Sequence, residues 1–176
     1  IRAIDRQHLI FVQFPEYHQN LEALTGLQGE NIVYSLQRYF TKTDQSAVQP
    51  YLDFARAQQV PIYVCEFGEN TIRWTNEMRS LFDKNNISWC LHPYKEMQGS
   101  IFFVETDDPS SVVGFTRPEH WNAIQKFAKA DRSSFAELRK NCPPISESRQ
   151  ALKELLDNCK LENCTINRQL IEVLDL

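Results

Sequence analysis

The chain has 176 residues, 42% of them hydrophobic and 24% charged, with a formal net charge of −4. That length supports one domain with a sizeable core. The acidic balance argues against a sequence-independent nucleic-acid binder, which needs a basic surface. It leaves a neutral ligand such as a sugar open.

Four short apolar runs rich in Ile, Val, Phe and Tyr read as buried strands: residues 8–14 (HLIFVQF), 31–36 (NIVYSL), 61–67 (PIYVCEF) and 87–91 (ISWCL). They show little alternation, as expected where both faces of a sheet are covered. Between the first two runs, Pro15, Gly26 and Gly29 suggest a loop with a short helix. Residues 46–59 form a helical pattern with Val48, Leu52, Phe54 and Ala55 near one face. Residues 71–85 do the same with Ile72, Met78, Leu81 and Phe82, ended by Asn85-Asn86.

The order β-α-β-α-β-α-β, with strand starts 23 to 30 residues apart, implies parallel strands. An open doubly wound sheet and half of an eight-stranded βα barrel both fit. None of the five glycines forms a GxGxxG or phosphate loop, which favours the barrel.

After Lys95 the texture changes. Residues 96–117 read as a loop holding one apolar run, 101–104. Pro118 opens a helix with Trp121, Ile124 and Phe127 as core residues. Cys142-Pro-Pro interrupts the chain, and residues 147–159 and 165–174 are again helical patterns. The expected fold class is α/β, the C-terminal half of a (β/α)8 TIM barrel with a C-terminal helical extension. Residues 1–176 form a single partial barrel domain. Residues 1–95 supply four βα units, and 96–176 a loop, the last barrel helix and C-terminal helices. A half-barrel exposes two unpaired strand edges, so these residues in isolation are expected to be poorly soluble or to dimerise.

No run approaches the ~20 apolar residues of a membrane span, and no signal peptide is visible. The chain opens at Ile1 without a Met, which reads as the interior of a longer protein. Cys65, Cys90, Cys142, Cys159 and Cys164 form no paired CxxC motif, and His8, His18, His92 and His120 are scattered, so no metal site is expected. Cys65 and Cys90 sit in apolar runs and read as buried thiols. Cys159 and Cys164 are a possible pair in an oxidising compartment, which the odd count leaves open.

In a βα barrel, chemistry sits where strands end and βα loops begin. The strand ends here are polar: Gln37-Arg38-Tyr39, then Glu66-Phe67-Gly68-Glu69-Asn70, then His92-Pro93-Tyr94-Lys95. A carboxylate inside an apolar strand is expensive to bury unpaired, so Glu66 reads as a fixed carboxylate at a pocket floor. Retaining glycoside hydrolysis needs two carboxylates about 5–5.5 Å apart, one attacking and one donating a proton. Tyr39, one strand earlier, is placed to donate a hydrogen bond to the attacking carboxylate. Trp74 is a candidate sugar platform or a core residue. Lys95 is a candidate contact to an outer sugar hydroxyl or a surface lysine, and Glu69 reads as a solvated loop carboxylate.

The segment PIYVCEFG, ending in Glu66-Phe67-Gly68, resembles the seventh strand of glycoside hydrolase family 5, the cellulase-like family, whose Glu is the nucleophile. IRAID with HLIFV resembles the fourth helix and fifth strand, NIVYS the sixth strand, and SWCLHPYK the eighth. The match runs over residues 1–95 in order and spacing. The resemblance implies a retaining β-glycosidase acting on β-linked glucans or related polysaccharides, without cofactor or metal. It assigns Glu66 as nucleophile and Tyr39 as its hydrogen-bond partner. Gln37 is a candidate substrate contact or filler, and His92 a candidate substrate contact or the mark of a site no longer built for catalysis.

It also exposes departures. The sixth strand ends Gln37-Arg38-Tyr39 instead of His-x-Tyr, His92 stands where the family has a tryptophan, and Cys65 replaces the glycine before the nucleophile. The proton donor, an Asn-Glu pair on the fourth strand, is expected upstream of Ile1. The implied partners are a carbohydrate substrate and the N-terminal half of the same barrel, with no nucleic acid and no membrane, in an extracellular or periplasmic setting. The alternative is a catalytically impaired barrel that still binds carbohydrate.

Overall fold

The computed structural model describes residues 1–15, 20–27, 29–98, 111–131 and 133–176. Its centre is a four-stranded parallel sheet in sequential order: β1 (Ile10–Gln13), β2 (Ile32–Arg38), β3 (Ile62–Gly68) and β4 (Ser88–His92). Each apolar run of the sequence became one strand. The two connections described in full carry α1 (Gln49–Gln58) and α2 (Ile72–Lys84), as parallel neighbours require a crossover. Thr71 caps α2 by accepting a hydrogen bond from the Trp74 backbone N–H. Asn86, with φ at 54°, turns the chain out of that helix towards β4.

The core lies between the sheet and these helices. Tyr34, Leu36, Val48, Val64, Phe67, Met78 and Phe82 are fully enclosed there. Phe67 meets Phe82 edge-on at 5.1 Å and Trp89 at 5.3 Å. Trp89 thus points to the helices. Tyr51, outside the apolar face read from the sequence, is buried on α1 beside Phe14.

Beyond β4 the structure departs from a plain loop. β5 (Lys95–Met97) pairs in parallel with β6 (Val113–Phe115), and β7 (Cys164–Ile166) adds antiparallel to β6, forming a small second sheet. Three-residue strands carry too little periodicity to be read locally. The apolar run 101–104 lies outside the described residues. Residue 165, expected to open a helix, instead belongs to β7, and α6 (Arg168–Leu174) starts after Asn167, whose side chain accepts from the Leu170 backbone N–H.

The remaining helices are α3 (Trp121–Lys129), α4 (Phe135–Asn141) and α5 (Ile145–Asn158). Trp121, Ile124 and Phe127, expected in the core, are only half-buried, because α3 lies against α5 away from the main core. It is α6 that returns to the centre: it packs on α2 and buries Leu170 and Leu174 in the main cluster. Among the described residues no helix is long and apolar enough to cross a membrane. All five cysteines are free thiols, and Cys90 is exposed where burial was expected.

Candidate functional site

The decisive local feature is an irregularity in β3. Leu36 pairs with Val64 and Gln37 with Glu66, so Cys65 is an extra residue against β2. Against β4 the same excess appears, with Val64 and Phe67 facing Trp89 and Leu91. In a regular strand Val64 and Glu66 would share a face. The bulge breaks this parity: Val64 and Phe67 both enter the core, and Glu66 turns to the side away from the helices. The signal was present in the sequence, because two core residues three apart on one strand contradict a period of two.

On that open face the strand ends bring four groups together. Tyr39, just past β2, donates its hydroxyl to Glu66 Oε2 at 2.7 Å. Gln37 stands beside Glu66 in register, and His92 stands beside Gly68 at the end of β4. The His92 ring lies edge-on to Tyr39, with centroids 6.5 Å apart. Gly68 has φ at 138°, and a Cβ there would overlap the His92 carbonyl oxygen. Only glycine permits this close approach of β3 to β4.

Burial, followed by the hydrogen bond to Glu66, holds the Tyr39 hydroxyl well above the ordinary tyrosine range. Tyr39 therefore remains a donor at any physiological pH. Among the described residues Glu66 has no other hydrogen-bond partner, which leaves Oε1 open to a ligand. Such a carboxylate, oriented through one oxygen and free at the other, can act as a nucleophile or accept a hydrogen bond from a bound hydroxyl.

Glu69 is the residue that sequence reasoning placed in solvent. Its side chain is only 20% exposed and lies 3.9 Å from His92 Nε2. Its backbone is left-handed, with φ at 48°, directly after Gly68. Burial pushes its carboxyl above the usual range, Glu96 and Glu66 add to this, and His92 opposes it. The two successive positive-φ residues set this turn, and nothing in the residue type of Glu69 announced them.

Two other candidates have different engagements. The Trp74 indole N–H donates to the Thr41 carbonyl at 2.8 Å, and its ring packs partly against the core. Trp74 thus ties the loop after β2 to α2. The Lys95 ammonium donates to the Cys159 carbonyl and lies 5.8 Å from the Phe115 ring, within the C-terminal unit. Neither is gathered with Tyr39, Glu66 and His92 by any described contact. Away from this site, Glu119, His120 and Glu154 bring three ligand-type atoms within 4.8 Å of one another. There Glu154 accepts from both the backbone N–H and Nδ1 of His120.

No family model matches the chain, and no curated protein does. Among solved structures, XacCel5A in complex with cellopentaose is 18% identical with a TM-score of 0.41, over 59% of this chain and 42% of that one. The catalytic domain of a mannanase from Streptomyces sp. SirexAA-E is 16% identical with a TM-score of 0.42, over 64% of this chain and 38% of that one. The chain spans about two fifths of the length of each.

Proposed function

We propose that this chain carries the nucleophile side of a retaining β-glycosidase acting on β-linked glucans or related polysaccharides. The observation that supports this reading is the 2.7 Å hydrogen bond from Tyr39 to Glu66 on the open face of the sheet, with Glu66 Oε1 unpartnered among the described residues. In double displacement the nucleophile must be ionised, aimed at the anomeric carbon and relieved of charge as the glycosyl–enzyme bond forms. A neutral tyrosine donor fixes the carboxylate through one oxygen and leaves the other to attack. Gln37, in register with Glu66, and His92, in register with Gly68, serve as contacts to sugar hydroxyls.

The second carboxyl, acting first as acid and then as base, belongs in this reading to four further strands that close the barrel. The exposed apolar side chains at the β1 edge support such a partner surface, with Leu9 at 58% and Phe11 at 52% exposure. In this reading the chain is half of a (β/α)8 barrel. It needs no cofactor or metal, and a polymeric substrate places it outside the cytoplasm.

A second reading is a barrel that binds carbohydrate without hydrolysing it. His92, where the resembled family has a tryptophan, favours it. The test is to express the whole barrel protein containing this chain, with and without Glu66→Gln, and assay aryl β-glucosides and β-mannosides. The expected result is a rate at least about 10³-fold lower in the variant with little change in stability. Equal rates sink the nucleophile assignment. An inactive parent that still binds oligosaccharides establishes the second reading.

A further inference from the structure

On the helix side of β2, next to the site but facing away from it, Arg38 is buried to 7% exposure. Its Nε donates to the Ala47 carbonyl and its Nη1 to the Gln37 carbonyl, each at 3.1 Å. Its guanidinium lies 4.0 Å from the centre of the Tyr51 ring. Among the described residues no carboxylate pairs with it. The carboxylate in the adjoining loop, Asp44, is turned to the backbone N–H and hydroxyl of Ser46. A buried cation held only by carbonyl dipoles and a ring face lacks the full compensation that a counter-ion gives.

Arg38 is not sealed in. It lines a cavity of about 460 Å³ between the loop after β1, the loop after β2 and the start of α1. Thr41 and Lys42 line it too. The Thr41 hydroxyl is buried and, among the described residues, has no hydrogen-bond partner, so a second donor there is unused. Lys42 is exposed and adds a second positive charge. The cavity thus combines one buried cation, one rim cation and an unsatisfied hydroxyl.

We propose that this cavity binds a small oxyanion, a phosphate or sulfate group, with Arg38 as its buried anchor and Lys42 and Thr41 at the rim. Arg38 Nη2, which makes no described contact, offers a charge-assisted hydrogen bond to such a group. The proposal is independent of the glycosidase reading, because Arg38 faces the helices and Glu66 the opposite side of the sheet.

The test is calorimetric titration of the whole protein that contains this chain with inorganic phosphate, at an ionic strength held constant with sodium chloride. Saturable binding is expected. Thr41→Val/Lys42→Met should weaken it roughly tenfold or more, and Glu66→Gln should leave it unchanged. Titration with glucose 6-phosphate separates two sources: tighter binding than inorganic phosphate assigns a phosphorylated sugar, equal binding a free ion. Circular dichroism of the double variant checks that it folds, as expected for changes that lie in a loop. Arg38→Met, if it folds, should abolish binding. The proposal falls if phosphate and sulfate show no saturable binding, or if the double variant binds as tightly as the parent.

Discussion

On the helix side of the four-stranded sheet, Tyr34, Leu36, Val64 and Phe67 are fully buried, whereas on the other side Cys90 and His92 are exposed and Phe11 is 52% exposed. The first set lies on β2 and β3 and the second on β1 and β4, but within β3 adjacent residues serve both sides. Phe67 anchors the core, and Glu66, its neighbour, faces outward and takes the Tyr39 hydroxyl. The difference teaches a division of labour: the helix side supplies stability, and the open side holds groups whose unsatisfied capacity is available to a ligand.

This division can be broken by substitutions on either side. Phe67→Ala has the largest expected effect on stability. It removes the ring packed on Phe82 and Trp89 and costs about 3–5 kcal/mol. Denaturant unfolding measures it, and a loss under about 1 kcal/mol would mean that this face is not the main core. Gly68→Ala comes next, at about 1–3 kcal/mol, because the backbone is held at a φ of 138° and the new Cβ meets the His92 carbonyl. Since it forces β3 and β4 apart at the site, it should weaken oligosaccharide binding as well, which Phe67→Ala should do only through unfolding.

Tyr39→Phe tests the open side. It deletes a hydrogen bond to a carboxylate, worth about 1.5–3 kcal/mol, so the hydrolytic rate should fall roughly ten- to hundred-fold. If thermal stability falls and kcat/KM does not, Tyr39 merely caps a strand end. The smallest effect is expected at Glu69. Its carboxyl is raised above the ordinary value by burial, so the folded state favours the protonated form. That advantage is complete below the unfolded value and disappears as pH rises through the folded one. Glu69→Gln should therefore match the parent near pH 4 and become more stable than it towards roughly pH 7. A difference in Tm that does not vary with pH would refute this assignment.

Much of the scaffold was legible because its signals are local. Runs of Ile, Val and Phe marked all four strands, Thr71 and Asn85-Asn86 bracketed α2, and a carboxylate in an apolar strand marked Glu66. The second sheet was not legible, since β5, β6 and β7 are three residues each and are stabilised by pairing across distant sequence. Cys90 reads as apolar in a strand, yet it stands on the open face. Lys95 ends an apparently single strand, yet it begins another and reaches the Cys159 carbonyl.

What residue order settles in this protein is the central sheet, the helices between its strands, and that position 66 carries a charge at a strand end. Which way Glu66 points, and what it meets there, came from packing. A one-residue change of register reverses the facing of every later side chain in a strand. The bulge at Cys65 exists because Val64 and Phe67 both gain by entering the core. The pairing of β2, β3 and β4 then brought Tyr39, Gln37 and His92 to the carboxylate. Burial against α1 gave Arg38 its place among carbonyls and the Tyr51 ring. Such contacts join residues far apart in the chain, so no local pattern encodes them.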